Sequence, residues 1–441
     1  MKRIALRSSA ALFLFLFLIL WSLPGRAQEK TKVYTLKKSI EEALENNWNL
    51  RAIREKVDQA KMVKNQARAE FLPKLGTTYG YTRLSEVPLI RSSVLPEIAL
   101  GTQDNYQWKG TVTQPLFTGL ALISSYRLAE LGIDKSETEL ELGRLDLVLR
   151  VKTAYFNILL ADKGVEVAEK DVESRKSNVK VARSFYKVGM IPINDLLKAE
   201  VELANADQNL VTARNAGRLA RSSFNTALSR PVNAPVDVED ISGFEPEEGD
   251  FQDYVSKALE TRPEMRLVDI GILQADQRIR LARSKNYPEI GLTYEYIKEG
   301  DTADVSGSPF HDANSWQVTA GLSWTFWEWG KTHYAVREVE SLKRELMQNK
   351  LALEDSIRLE LREAVLALED AEENIPTTQK AVEQGEENLR VNEERYKAQV
   401  TTITEVLDAQ TLLTRARVNY YKALYNHHLA RARLVRALGM Y

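Results

Sequence analysis

The feature of this sequence that most constrains its fold is an internal repeat. Ala43-Leu44-Glu45 recurs as Ala258-Leu259-Glu260, a spacing of 215 positions. Further along the spacing becomes 210 positions, and Tyr186-Lys187 recurs as Tyr396-Lys397. The change of spacing falls in a stretch predicted to be a loop, where changes of length are tolerated. One structural unit is therefore written twice, over about 190 residues per copy.

Each copy has the same predicted order of elements, which is helix, strand, loop, strand, very long helix, turn and long helix. Copy one covers residues 28–228 and copy two covers 251–441. The linker between them, 229–250, is rich in Pro, Gly and acidic residues, and we expect one short strand in it. The predicted strands are 76–84, 106–116, 290–298 and 315–327, and the predicted long helices are 119–187, 194–228, 329–397 and 404–439.

The long helices show a seven-residue periodicity. Val151 and Ile158 begin one series, and alanine holds every seventh position from Ala199 to Ala227. A strict seven-residue repeat gives a left-handed supercoil, and alanine allows close approach of the helices. A helix covering 119–187 is roughly 100 Å long, too long for one globular core. The pattern predicts either a hollow helical tube or an extended coiled-coil stalk.

The four predicted strands are about ten residues long and alternate apolar with polar or small residues. They are rich in Tyr and Trp, as are strands of outer-membrane barrels near the lipid headgroups. Four strands leave two open edges, which hydrocarbon does not tolerate, and closure needs about eight strands or more. We therefore expect three chains to pool twelve strands. The alternative is a soluble pair of hairpins that caps a coiled coil.

The N-terminal segment, residues 1–27, has the pattern of a secretory signal peptide. Lys2 and Arg3 begin a basic stretch, an apolar run covers 10–23, and we expect cleavage after Ala27. The run is short for a spanning helix, and no second one follows. Any membrane-embedded part of the exported protein is therefore expected to consist of β-strands.

The composition excludes several classes of function. The 60 basic and 62 acidic residues nearly cancel, so no nucleic-acid-binding surface is indicated. Cysteine is absent, which excludes disulfides, thiolate metal sites and a lipid anchor on an N-terminal cysteine. The four histidines lack metal-ligand spacing, and no phosphate-binding glycine loop or nucleophile triad is evident. We expect neither an enzyme nor a cofactor.

The two-copy layout resembles the TolC-like outer-membrane efflux family. The resemblance rests on the helix-to-strand junctions Leu72-Pro73 and Tyr287-Pro288 and on the strand exit Gln114-Pro115-Leu116-Phe117. The resemblance implies an α+β membrane protein that forms a homotrimer. The pooled strands form a twelve-stranded transmembrane β-barrel in outer-membrane lipid, which continues into a long coiled-coil α-helical barrel in the periplasm. The implied partners are a periplasmic adaptor and an inner-membrane pump of the RND, ABC or MFS type.

The turns between the long helices resemble the adaptor-docking tips of the family. Gly189 supplies the left-handed conformation that ends a helix, and Pro192 discourages its continuation. Copy two has Gln399 at the glycine position, where a residue with a side chain is less comfortable. The residues assigned to the two tips are Val188, Gly189, Met190, Ile191, Pro192, Ala398, Gln399, Val400 and Thr401.

Two acidic residues beyond the second tip resemble the pore gate of the family. Glu405 and Asp408 are three positions apart and share a helix face. Threefold symmetry places six such carboxylates around a narrow mouth, which favours cations. The alternative is that these acids only complement the helix dipole. The resemblance also assigns Asp195 and Tyr396 to a closed-state latch of hydrogen bonds. The family has a basic residue as a partner in this latch, and this sequence has Thr401 at that position.

Together these observations predict the exit channel of a tripartite efflux or type I secretion system in a Gram-negative outer membrane. The channel passively conducts solutes or polypeptides that the pump delivers. The alternative is a periplasmic coiled-coil scaffold protein that never enters the membrane.

Overall fold

The computed structural model describes residues 32–90, 96, 98–241, 243, 246 and 249–441. The predicted signal peptide lies outside these residues. The described part of the chain is mostly helical with some strands. Up to residue 227 its elements are β1 (Lys32–Tyr34), α1 (Leu36–Asn46), α2 (Trp48–Ala69), β2 (Lys74–Arg83), β3 (Leu89–Ile90), β4 (Ile98–Ala99), β5 (Asp104–Thr118), α3 (Ala121–Lys187) and α4 (Ile193–Ala227).

The elements after residue 227 follow a similar order. They are β6 (Val236–Val238), α5 (Phe251–Thr261), α6 (Pro263–Arg283), a short 3-10 helix (Ser284–Asn286), β7 (Glu289–Gly300), β8 (Asn314–Ser323), α7 (Lys331–Lys397) and α8 (Ile403–Ala437). Both α3 and α7 contain 67 residues, and both α4 and α8 contain 35. The long helices begin and end within two residues of the predicted bounds.

Backbone contacts divide the chain into two compact units. The first comprises Met1–Asn47, described from Lys32 onward, with Arg150–Pro246 and Asp370–Leu429. The second comprises Trp48–Leu149, Glu247–Glu369 and Ala430–Tyr441.

In the first unit, β1 pairs in parallel with β6, the short strand of the linker. Three buried aromatic rings lie beside this pair, and Phe224 packs edge-on against both Tyr34 and Tyr155. The Tyr155 hydroxyl donates to the backbone carbonyls of Tyr34 at 3.1 Å and Glu239 at 2.6 Å. Burial and the nearby negative charge of Glu239 raise the pKa of Tyr155 to about 12. The aromatic cluster therefore ties the linker to the long helices.

The seven-residue positions of α3 form the packed side of that helix in the first unit. Val151, Ile158, Val172 and Val179 are buried, and Ala206 of α4 packs against Val172. A coiled-coil contact between α3 and α4 follows, with alanine where the helices approach most closely. A further apolar cluster joins both helices to the ends of α7 and α8 through Val179, Ala182, Leu196, Ala199, Tyr396, Ile403, Val406 and Leu407.

The second unit contains a four-stranded antiparallel sheet in the order β2-β5-β7-β8. Two hairpins, β2–β5 and β7–β8, lie side by side through β5 and β7, where Val112 is opposite Tyr294. Both outer strands, β2 and β8, are exposed along all ten residues. Among the described residues, no strand pairs with the outer side of β2 or β8, so the sheet has two open edges.

The helical part of the second unit packs around an apolar cluster of α5, α6, α7 and α8, and a buried ionic network lies beside it. The Arg262 guanidinium, 3% exposed, donates to Glu264 at 2.8 Å and to Glu360 at 2.6 Å. Arg436 bridges Glu264 at 2.8 Å and Asp146 at 2.8 Å. Burial alone raises the pKa of Glu264, but its hydrogen bonds and the two guanidinium charges outweigh burial and hold that pKa at about 2.

The fourth strand ends earlier than predicted. β8 stops at Ser323, whereas the sequence pattern runs on to Trp327. The neighbouring strand β7 begins at Glu289, directly opposite Ser323, so residues 324–327 have no strand beside them in this sheet. Within the described part of the chain, these four residues therefore have an alternating pattern but no strand partner.

None of the helices in the described residues has both the length and the apolar character needed to cross a bilayer.

Candidate functional site

The first turn between long helices ends α3 in a Schellman motif. The N–H of Gly189 donates to the carbonyl of Tyr186, and the N–H of Met190 donates to the carbonyl of Phe185, each at 2.9 Å. Gly189 has a φ of 74°, the left-handed conformation that this motif requires. Pro192, with no N–H to satisfy, then stands at the start of α4.

The second turn has the same geometry without a glycine. Gln399 donates its N–H to the carbonyl of Tyr396 at 3.0 Å, and Val400 donates to Arg395 at 2.9 Å. The φ of Gln399 is 63°, so this residue adopts the left-handed conformation of Gly189 at the cost of some strain. The two turns are therefore alike in backbone although their sequences differ.

The two turns present exposed apolar side chains. Val188 is 68% exposed, Met190 50% and Val400 63%. Apolar side chains this open at the end of a helix pair are available to a partner protein. Among the other predicted tip residues, Ile191 and Thr401 are half-buried, and the exposed ones are Gly189, Pro192, Ala398 and Gln399.

The predicted gate residues lie on the exposed face of α8 where this helix begins. Glu405 and Asp408 are exposed, while Ile403, Val406 and Leu407 on the other face are buried. Within the described residues, no ion pair or hydrogen bond occupies either side-chain carboxylate. The buried face fixes the helix, and the two carboxylates are left pointing away from that contact.

A groove of about 790 Å³ lies between the first turns of α4 and α8. Asp195 of α4 and Asp408 of α8 line this groove from its two helices. Lys198 and Glu202 of α4 also line it. The structure therefore brings a predicted latch residue and a predicted gate residue into one groove. In the part of the chain that is described, no three His, Asp or Glu side chains are grouped closely enough to hold a metal ion.

The predicted latch residues Asp195 and Tyr396 influence each other electrostatically, but no hydrogen bond joins them among the described residues. Burial and, to a smaller degree, the negative charge of Asp195 raise the pKa of Tyr396. The Tyr396 hydroxyl is buried and has no hydrogen-bond partner among the described residues. Its ring packs against Phe185 with 5.5 Å between ring centroids. The hydrogen bond expected of the predicted latch is thus not formed in the described part of the single chain.

A buried polar network near the predicted gate residues was not predicted from the sequence. It joins Asp171 and Arg175 of α3 to Gln410 of α8. Charged residues next to a coiled-coil seam are usually solvated, so the pattern alone does not reveal the network. The comparison of the two copies carries a signal, because the positions 210 residues after Asp171 and Arg175 hold Ala381 and Gly385.

Comparison with solved structures shows that the fold is that of outer-membrane efflux channels. The Campylobacter jejuni CmeC outer membrane channel matches with a TM-score of 0.79 and 18% identity, covering 92% of this chain and 85% of that chain. The channel protein CusC matches with a TM-score of 0.78 and 17% identity, covering 96% of each chain.

The family model described as outer membrane efflux protein matches residues 39–229 and 254–440. Outer membrane protein TolC of Escherichia coli (strain K12) is 23% identical over 398 residues, which are 85% of this chain and 76% of that protein. Cobalt-zinc-cadmium resistance protein CzcC of Cupriavidus metallidurans is 22% identical over 423 residues, which are 94% of this chain and 92% of that protein. The chain belongs to the outer membrane efflux protein family.

Membership of this family confirms the predicted resemblance and the predicted class of function. The chain is an exit channel of an efflux or secretion system in the outer membrane of a Gram-negative bacterium.

Proposed function

We propose that three copies of this chain form the channel, and that each copy contributes four strands to one twelve-stranded barrel and its long helices to an α-helical barrel. The channel is a passive conduit with no enzymatic activity. An inner-membrane pump supplies energy and cargo through a periplasmic adaptor. Export follows cleavage after Ala27, and no lipid anchor is involved.

The observation that carries this proposal is the pair of open sheet edges. Both β2 and β8 leave their outer backbone groups without strand partners in the sheet of the single chain. Unpaired backbone groups are costly in hydrocarbon, so a membrane-embedded sheet must close on itself. Four strands are too few to close a barrel, whereas twelve are enough.

The register of the sheet supports a specific closure. Tyr79 pairs with Trp108 in the first hairpin, and Tyr294 pairs with Val318 in the second. These pairs are related by the same spacings, 215 and 210, as the repeat in the sequence. The two hairpins are therefore equivalent in register, and the contact between them can be carried around a ring.

Carrying that contact forward predicts how neighbouring subunits pair. Within the chain, Val112 of the first hairpin lies opposite Tyr294 of the second. The equivalent positions are Leu322 and Tyr79, so Leu322 of β8 lies opposite Tyr79 of the partner subunit. The same relation places residues 324–328 opposite residues 74–77 of the partner subunit. The part of the predicted strand that is unpaired in the single chain thus gains its partner on assembly.

Engineered disulfides test this closure, because the chain contains no cysteine. The double variant Leu322→Cys with Tyr79→Cys should form covalent trimers in the outer membrane under oxidising conditions, since directly opposite residues have Cβ atoms about 5 Å apart. The matched control is Leu322→Cys with Thr82→Cys. Thr82 lies roughly 10 Å along β2 from Tyr79, and its side chain faces the other side of the sheet. Cross-linking of the control, or none in the test pair, contradicts the proposed register.

We assign the pore gate to Glu405 and Asp408 and the closed-state latch to Asp195 and Tyr396. Support comes from the exposure of both gate carboxylates and from the shared groove of Asp195 and Asp408. Six exposed carboxylates around a threefold axis make the periplasmic mouth, defined here as the pore end lined by α8, selective for cations.

The adaptor docks on the two turns, Val188–Pro192 and Ala398–Thr401. Their matching Schellman geometry gives a subunit two equivalent docking points, and their exposed apolar side chains supply the contact area.

A further inference from the structure

The start of α8 is held against α3 by more than apolar packing. Gln410 of α8 donates to the Asp171 carboxylate at 2.9 Å and accepts from the Ser174 hydroxyl at 2.7 Å. The next residue, Thr411, accepts from Arg175 at 3.1 Å. One turn beyond Gln410, the Thr414 hydroxyl donates to Asp171 at 2.9 Å. These three α8 residues follow Asp408 within two turns.

The centre of this network is a buried ion pair. Arg175 donates to Asp171 at 3.0 Å on the same helix and to Glu202 of α4 at 2.8 Å. Asp171 is only 6% exposed, Arg175 5% and Gln410 2%. Polar groups buried this deeply are tolerated only when their partners are all in place, so the network favours one relative position of the three helices.

The network is present on one side of the repeat only. The positions equivalent to Asp171 and Arg175 are Ala381 and Gly385 of α7. Gly385 instead lets the backbone of α8 approach, since a Cβ placed there lies 3.3 Å from the Cα of Leu413. The residues equivalent to Gln410, Thr411, Thr414 and Glu202 are Glu200, Val201, Ala204 and Leu412. The polar contact between α8 and α3 is therefore particular to this pair of helices, because the equivalent pair in the repeat packs without these polar residues.

Apolar and polar contacts constrain a helix differently. The cluster that includes Ile403, Val406 and Leu407 is non-directional, and by itself it allows α8 to rotate or slide. Hydrogen bonds to a buried carboxylate and a guanidinium have fixed geometry, and buried polar groups of this kind can set helix register.

We infer that the Asp171–Arg175–Gln410 network fixes the rotation and register of α8, and thereby sets the position of Glu405 and Asp408 at the pore mouth. Arg175, Gln410, Thr411 and Thr414 are positioning residues, which act on the conducted ions only through the gate. This inference rests on the proposed gate. Loss of the network releases α8 and widens the mouth.

Single-channel recording of the purified full-length protein in planar bilayers tests the inference. In Arg175→Gln the buried Asp171 loses its charged partner, so the arrangement seen here is disfavoured. We expect the population of higher-conductance states to rise at least about tenfold over the wild type, and the preference for cations to weaken.

A milder variant keeps the test valid if Arg175→Gln does not assemble. The double change Thr411→Val with Thr414→Val removes two hydroxyls from α8, keeps side chains of similar shape, and leaves the Asp171–Arg175 pair intact. We expect the same direction of change with a smaller magnitude. Thr212→Val is the matched control, because the Thr212 hydroxyl donates only within its own helix, to Gln208 at 3.2 Å.

Two ion pairs supply further controls on the same helices. Arg214–Glu169 joins α4 to α3 at 2.8 Å, and Arg417–Glu386 joins α8 to α7 at 2.7 Å, both near the surface. Arg214→Gln and Arg417→Gln should conduct as the wild type does, because exposed pairs contribute little.

The outcomes separate the inference from the proposed function. Folded trimers of Arg175→Gln and of the double threonine variant that conduct like the wild type overturn the inference. If these network variants conduct like the wild type while the double variant Glu405→Gln with Asp408→Asn changes ion selectivity, the inference is overturned and the gate assignment stands. A wild-type protein that forms no pores overturns the proposed function instead.

Discussion

Gln399 adopts the same left-handed backbone conformation as Gly189, although only glycine adopts it without strain. The two residues are 210 positions apart and end α3 and α7 with the same pair of hydrogen bonds. The geometry of the turn is therefore imposed by the helix ends on either side, and Gln399 accepts the local cost.

Gln399→Gly should stabilise the second turn. Removing the side chain relieves strain of about 1–2 kcal/mol, and part of that gain is offset by the greater freedom of glycine in the unfolded chain, so we expect up to about 1 kcal/mol. Hydrogen exchange at the last amides of α7 should slow by up to about fivefold. The reverse change, Gly189→Ala, should accelerate exchange at the end of α3, and equal exchange in all three proteins would count against this explanation.

Glu405→Gln with Asp408→Asn should weaken cation selectivity in planar bilayers. Both carboxylates are exposed, so the charge can be removed with little effect on packing, and we expect a stability change within about 0.5 kcal/mol. Block by multivalent cations should weaken in parallel. Glu383→Gln, an exposed acid of α7, is the control. Selectivity that is unchanged in the double variant excludes the gate assignment.

Tyr396→Phe should weaken the closed state of the trimer. A buried hydroxyl without a partner costs about 1–3 kcal/mol, so we expect the Tyr396 hydroxyl to find an acceptor when three chains assemble. Losing that bond should raise conductance without affecting the ring contact with Phe185. If Tyr396→Phe closes as tightly as the wild type, the hydroxyl is not part of the latch.

Glu264 should make the stability of the protein depend on pH in the acid range. Its pKa is about 2 when folded, below the ordinary value of 4.5, so its stabilising contribution is complete above pH 4.5 and declines as the pH falls toward 2. We expect this contribution to be up to about 3 kcal/mol near neutral pH.

Thermal unfolding of the detergent-solubilised protein between pH 7 and pH 3 measures this contribution. The wild type should lose stability on acidification more steeply than Glu264→Gln, which should already be less stable at pH 7. Parallel pH profiles of the two proteins would show that Glu264 does not provide the acid sensitivity.

The long helices were predictable to within two residues of their ends, for a physical reason. Val151 and Ile158 mark a seven-residue seam, and no proline interrupts the first long helix. The end of β8 was not predictable, because strand pairing depends on a neighbour. Residues 324–327 carry a strand pattern, but β7 begins opposite Ser323.

The site was predicted in part. Sequence resemblance indicated the turns and the acids Glu405 and Asp408, which the structure places on the exposed face of α8. The role of Asp171 and Arg175 was missed, because a charged pair four residues apart on a helix is usually solvated. Only the fold brings Gln410 from 239 positions away to complete the network.

In the assembly that we propose, three chains share one barrel in the outer membrane. Native mass measurement of the detergent-extracted protein tests it most directly. We expect a complex of three 50.1 kDa chains, each reduced by the mass of its signal peptide, recovered from the outer-membrane fraction. A monomer recovered in soluble form from the periplasm would contradict the account.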